Sequence, residues 1–175
     1  KTLKASRLTA IIGVNTLFRA MLDAPGFADV DLRHLKLAVA GGMAVQRVVA
    51  QRWKERAGVP LVEGYGLTEA APVAIANPVD IQEWSGQIGV PVPSTDAVIL
   101  DEDGRPVVQG EVGEICLRGP QVMKGYWNRP EETAQVFTAD GWLRTGDMGK
   151  MDERGGIRIT DRKKDMIVVS GFKVF

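Results

Sequence analysis

Three short apolar runs, separated by two stretches of helical periodicity, constrain what this chain can fold into. The run "RLTAIIGV" carries Leu8, Ile11 and Ile12 and reads as a strand. Asn15 then stands where a helix cap belongs, and Leu17, Phe18, Met21 and Leu22 follow at helical spacing until "APG" at 24–26 stops the helix. "LKLAVA" at 35–40 alternates as a second strand, and Gly41 and Gly42 turn the chain. From Ala44 to Ala57 a second helix is expected, with Val45, Val48, Val49 and Trp53 on one face and Gly58 at its end. "VPLVE" at 59–63 is the third strand. The order strand, helix, strand, helix, strand implies a parallel sheet with crossover helices. Such sheets bind ligands beyond the carboxyl ends of their strands. Two glycine-rich segments, "GGM" and "GYGLTE", stand at such ends; if their strands are neighbours, both open onto one crevice.

After about residue 86 the texture changes. "TDAVIL", "RPVVQ", "GEICLRG", "GWLRTGD" and "GIRITD" are short strands, and "DEDG" and "DERGG" between them are hairpin turns. "NRPEETAQVF" predicts one short helix, with Asn128 as its cap and Pro130 in its first turn. The expected fold class is therefore α/β: a parallel-sheet α/β segment over 1–85, followed by a β-rich subdomain over 86–160.

Composition removes several function classes. Lys+Arg and Asp+Glu both number 22, so no basic excess points to nucleic acid. The lone cysteine, Cys116, excludes a disulfide within the chain and any Cys-rich metal cluster, and the lone histidine, His34, weakens any His-dependent triad or zinc site. No apolar run approaches the ~18 residues of a membrane span, and no signal peptide is visible. A cytoplasmic protein is expected; peripheral association with the inner membrane and oligomer formation both stay open. Lys1 is not an initiator and Phe175 falls inside the apolar segment "MIVVSGFKVF", so a central piece of a longer protein is expected.

Four of these segments resemble, in order and at plausible spacing, successive motifs of the adenylate-forming superfamily: "GYGLTE", "GEICLRGPQVMKGYWNRPEET", "DGWLRTGD" and "DRKKDMIVVSGFKVF". "GVNTLFRAML", "GGMAVQ", "SGQIGVPVPST" and "DRKKDMI" extend the likeness toward the bacterial long-chain fatty acid–CoA ligases. The resemblance implies a distorted barrel for the β-rich subdomain. It also makes 161–175 the hinge and start of a truncated C-terminal domain. It implies ligation of a fatty acid through an acyl adenylate, with ATP/AMP and Mg²⁺ as cofactors and coenzyme A as co-substrate. The superfamily's phosphate loop and late catalytic lysine are not among residues 1–175, so the chain by itself is expected to be inactive. Other ligases of the superfamily (medium-chain or aryl acid, peptide-synthetase adenylation domains) share the same motifs. A non-catalytic nucleotide-binding module is the alternative outside enzymology.

The same resemblance assigns roles. Tyr65 would stack on adenine, with Gly64 and Gly66 leaving room for the ring. Thr68 would offer its hydroxyl to phosphate, and Glu69 would help hold Mg²⁺. Without the resemblance this segment reads as a tight surface turn. Gly41, Gly42 and Met43 would line the acyl and adenine pockets, or be an ordinary strand-to-helix turn. Asp147 would accept both ribose hydroxyls, since a carboxylate has two oxygens for a vicinal diol; its alternative is a turn aspartate. Arg162 would reach ribose or phosphate, or belong with Lys163 and Lys164 to a solvated basic turn. Lys164 would be the hinge, Gly171 would admit the pantetheine arm, and Lys173 would meet a coenzyme A phosphate. Arg144 stands where many relatives carry histidine. Trp127 and Trp142 are expected to pack, Cys116 to be a buried thiol, and His34 to lie in a loop.

Overall fold

The computed structural model describes Leu3, residues 6–162, 167–169 and 172–174. The chain divides into two units, 1–66 with 75–89 and 67–74 with 90–175.

In the first unit, β1 (Ala10–Gly13), α1 (Asn15–Asp23), β2 (Leu37–Ala40), α2 (Arg47–Ala57) and β3 (Leu61–Gly66) follow in the expected order. β1 pairs parallel with β2, Ala10 opposite Leu37, and β2 pairs parallel with β3, Ala38 opposite Leu61. Ala38 and Ala40 are fully buried on one face of β2, in the same cluster as Phe18, Val49 and Trp53. The Phe18 ring meets Trp53 edge-on at 4.7 Å between centroids, a favoured aromatic geometry. Gly58, at φ +72°, returns its N–H to the Lys54 carbonyl and ends α2 as expected.

Two helix expectations change. Val48 is 56% exposed, whereas Ala50 is buried. The buried stripe of α2 runs through Val49, Ala50 and Trp53, with Val45 buried just before the helix begins, and at 100° per residue Val48 falls outside it. Asn15 is the first residue of α1 and not its cap; Val14 holds the cap position with no side-chain bond. The buried Asn15 side chain instead accepts the Gln46 N–H at 3.0 Å, ahead of α2.

β3 extends through Gly66, so "GYG" is the end of a strand and not the loop after it. A strand not anticipated from sequence, β4 (Val73–Ala76), follows β3 in the sheet order. The Asn77 N–H donates to the Glu63 carbonyl at 2.9 Å. β5 (Val90–Pro91) was also unanticipated.

In the second unit, β6 (Asp96–Leu100), β7 (Gly113–Arg118), β8 (Leu143–Met151) and β9 (Ile157–Arg162) form a four-stranded antiparallel sheet in chain order. Ile99, Leu100, Ile115, Cys116, Leu117, Leu143 and Ile157 supply its core. Asp101 and Asp152 close the expected hairpin turns by accepting the Gly104 and Gly155 N–H groups. "RPVVQ" is not a strand: Pro106 makes only an isolated bridge to Leu100, and it has no N–H to extend a ladder. α3 (Pro130–Val136) has Pro130 in its first turn, but Arg129 takes the cap position and Asn128 adopts a left-handed φ of +53°. β10 (Ile167–Val169) and β11 (Phe172–Val174) pair antiparallel. No helix of the described residues is long and apolar enough to cross a membrane.

Candidate functional site

The first unit holds Gly41, Gly42, Met43, Gly64, Tyr65 and Gly66, and the second holds Thr68, Glu69, Asp147 and Arg162. Within the first unit the two glycine-rich segments do lie side by side. A side chain at Gly41 would place its Cβ 3.2 Å from the Gly64 carbonyl oxygen, a tight approach that favours glycine there. Gly42 follows at φ +75°, and Met43 is exposed.

Three side chains fix the segment after these glycines: Glu63 and Trp84, which the sequence reading passed over, and Asn15, which it took for a helix cap. Glu63 Oε1 accepts the Val45 N–H at 2.9 Å, and Trp84 Nε1 donates to the Val45 carbonyl at 3.1 Å. Asn15 takes the next N–H, from Gln46. Glu63 is buried; desolvation raises its pKa, and the Val45 hydrogen bond opposes that rise. The available signal was a carboxylate ending an apolar strand, a position where a buried polar group needs a partner.

In the second unit Thr68 to Ala70 form one 3-10 turn, with Thr68 exposed and Glu69 half-buried. The Glu69 carbonyl accepts the Met123 N–H at 2.8 Å, and Tyr126 donates its hydroxyl to Glu69 Oε1, also at 2.8 Å. That hydrogen bond is the main reason the Tyr126 pKa is raised, with desolvation and the Glu69 charge adding to it. Among the described residues no hydrogen bond is made by Glu69 Oε2. No group of three or more His, Cys, Asp or Glu among the described residues could hold a metal ion by itself.

Asp147 on β8 stands opposite Arg162 on β9, and Arg162 Nε lies 3.5 Å from Asp147 Oδ1. These two candidates are thus brought together. The turn before Asp147 is held from β7. Glu114 Oε1 accepts the Gly146 N–H at 3.1 Å, and Glu114 Oε2 accepts from Arg144 Nη1 at 3.0 Å. Thr145 Oγ1 donates to the Ile115 carbonyl and accepts the Asp147 N–H. Arg144 therefore has a partner that the sequence did not reveal.

Lys164 and Gly171 lie outside the described residues, as does the side chain of Lys173, whose backbone is part of β11. Trp127 does not pack as expected; it is 89% exposed. Trp142 is half-buried beneath the Arg118 guanidinium, 4.4 Å from its ring centroid. Cys116 is buried on β7, and His34 meets the Arg7 guanidinium.

The AMP-binding enzyme family matches residues 1–127. The chain belongs to this family. Its similarity to the long-chain-fatty-acid–CoA ligase of Salmonella typhimurium is 54% identity over 175 residues, all of this chain and 31% of that ligase. A feruloyl-CoA synthase from Amycolatopsis is 41% identical over 170 residues, 97% of this chain and 34% of that protein. Among solved structures, the anthranilate CoA ligase AuaEII in complex with anthranoyl-AMP superposes with a TM-score of 0.88 at 32% identity, over 99% of this chain and 33% of that one. This AMP-binding chain thus spans about a third of the length of the relatives it matches, and its α/β segment and β-rich subdomain have the fold of adenylate-forming enzymes.

Proposed function

We propose that the full-length protein carrying this chain is a long-chain fatty acid–CoA ligase. The observation that carries the reading is the 54% identity, over the whole chain, to a ligase of that name. In the first half-reaction a carboxylate oxygen of the fatty acid bonds to the α-phosphorus of ATP, and pyrophosphate leaves. In the second, the coenzyme A sulfur bonds to the acyl carbon, AMP leaves with the electron pair of the broken C–O bond, and the thiol proton passes to solvent. Neither step needs a covalent enzyme intermediate, so positioning and charge stabilisation supply the catalysis.

In this reading Tyr65 stacks on adenine between Gly64 and Gly66, beside the Gly41, Gly42 and Met43 segment. Thr68 hydrogen-bonds phosphate, and Asp147 accepts the ribose hydroxyls. Arg162 is 59% exposed at its side chain, which leaves it free to turn from Asp147 toward the nucleotide. Mg²⁺ fits Glu69: one carboxylate with an oxygen to spare, together with substrate phosphates, is how this hard cation is commonly held. Bound there, the ion would neutralise phosphate charge. Lys164 serves as the hinge between half-reactions, and Gly171 and Lys173 receive coenzyme A. A cytoplasmic location, where ATP and coenzyme A are supplied, belongs to the same reading.

The likeness to a feruloyl-CoA synthase and to AuaEII favours an aryl acid ligase as the second reading. A product assay on the full-length protein, with fatty acids of graded chain length beside aryl acids, separates the two. We expect thioester formation to be fastest with long-chain fatty acids. Faster turnover of aryl acids would replace the first reading by the second.

A further inference from the structure

We propose that Glu114 and Arg144 are positioning residues for Asp147, a charge-compensated pair that fixes the direction of its carboxylate. The inference rests on the nucleotide reading of Asp147 given above. Its starting point is an irregularity in the sheet. Gly146 adopts φ +75° inside β8, a conformation outside the strand region. The β7–β8 register shifts between Glu114 and Cys116, and the β8–β9 register shifts between Met148 and Gly149. Asp147 thus lies in a stretch where regular ladder pairing is interrupted on both sides. Such bulges re-aim side chains and leave backbone groups that other partners must satisfy.

Glu114 and Thr145 supply those partners. The Glu114 carboxylate makes two contacts that converge on the turn: the Gly146 N–H on one oxygen and Arg144 Nη1 on the other. Its side chain is 5% exposed, so its charge has little water to screen it, and the Arg144 guanidinium stands in for that water. Arg144 in turn belongs to β8, three residues before Asp147. The pair therefore ties the glycine and the residue two before it to β7. Thr145 completes the tie through the Ile115 carbonyl and the Asp147 N–H. Asp147 emerges from this frame with its side chain 17% exposed and directed at Arg162. A carboxylate that must meet two adjacent hydroxyls gains from a backbone held in advance, because the ordering cost is not then taken from binding.

The test uses the full-length protein and calorimetric titration with ATP and with 2′-deoxy-ATP. The wild type should favour ATP by at least about tenfold, the scale of one hydrogen bond to a charged group. Asp147→Ala should abolish that preference. Arg144→Met should lower it by about fivefold or more, while Arg144→Lys, which keeps the cation, should restore most of it. Should Arg144→Met fail to fold, Glu114→Gln decides, since it keeps an oxygen for Gly146 and removes the charge; it should lower the preference by about threefold. Wild-type preference in a folded Arg144→Met or Glu114→Gln, with Asp147→Ala deficient, would overturn the positioning role alone. Wild-type preference in Asp147→Ala, or none in the wild type, would remove the nucleotide reading on which the inference stands.

Discussion

Tyr126 links two distant motifs through one hydroxyl, which reaches Glu69 across 57 residues of sequence. Tyr126→Phe deletes that bond and little else. Because the tyrosine is more than a third exposed, the loss should be about 1 kcal/mol, below the ~1.5–3 kcal/mol usual for hydrogen bonds to charged groups. We expect a rise of about fivefold in the Mg²⁺ concentration needed for half-maximal ATP binding, with fatty acid affinity unchanged. A Mg²⁺ titration of ATP binding by the full-length protein measures this directly. Glu63 gives a pH prediction. Its folded pKa is raised by burial above the ordinary carboxylate value, so the folded state binds its proton more tightly. Its contribution to stability is complete below the ordinary carboxylate range and is lost as pH rises through the raised value. Glu63→Gln keeps an oxygen for the Val45 N–H without a buried charge. Urea midpoints from about pH 5 to about pH 8 should fall less steeply in the variant, which should be the more stable protein at the upper end. Glu69 and Asp147 were legible as candidates because each sits in a motif, "GYGLTE" and "DGWLRTGD", that resembles one of the superfamily's. Glu63, Glu114 and Tyr126 were not, because what gives them roles is a partner 18, 32 or 57 residues away.

At the scale of elements, α2 depends on Trp53, which is fully buried against Phe18 and Phe27. Trp53→Ala should cost about 3–5 kcal/mol, read as a lower urea midpoint, through lost transfer energy and the cavity left behind. Gly89 shows the opposite sensitivity. It has φ +110°, and a Cβ there would stand 2.0 Å from the Ala76 carbonyl carbon. Gly89→Ala should yield little folded protein, judged by soluble expression and circular dichroism, because backbone and not a flexible side chain blocks the methyl. The elements with strong periodicity, β1 through β3 with their helices, were readable in sequence. β4 was missed as four residues between prolines, and β5 as two residues, one of them proline. Runs that short carry no period to detect. Val48 was misplaced for a related reason: an apolar residue adjacent to a buried stripe looks like part of it until packing selects the face.

At the scale of the molecule, the parallel-sheet unit and the antiparallel unit each carry some of the candidate residues, and the chain spans 31% of the length of the Salmonella ligase. The AMP-binding family was legible because its motifs keep their order along the chain. The roles of Lys164 and Gly171 fall outside the described residues and rest on sequence alone. The central claim is that this chain supplies nucleotide-binding residues to a protein that activates long-chain carboxylates. Fatty-acid-dependent exchange of pyrophosphate into ATP, measured on the full-length wild type and on Glu69→Ala, tests it most directly. The account predicts exchange in the wild type that requires a long-chain fatty acid. In Glu69→Ala that exchange should be slower by about 100-fold, with fatty acid affinity little changed, the scale of losing a metal ligand at a developing phosphate charge. No exchange in the wild type with any fatty acid, or full exchange in the variant, would contradict it.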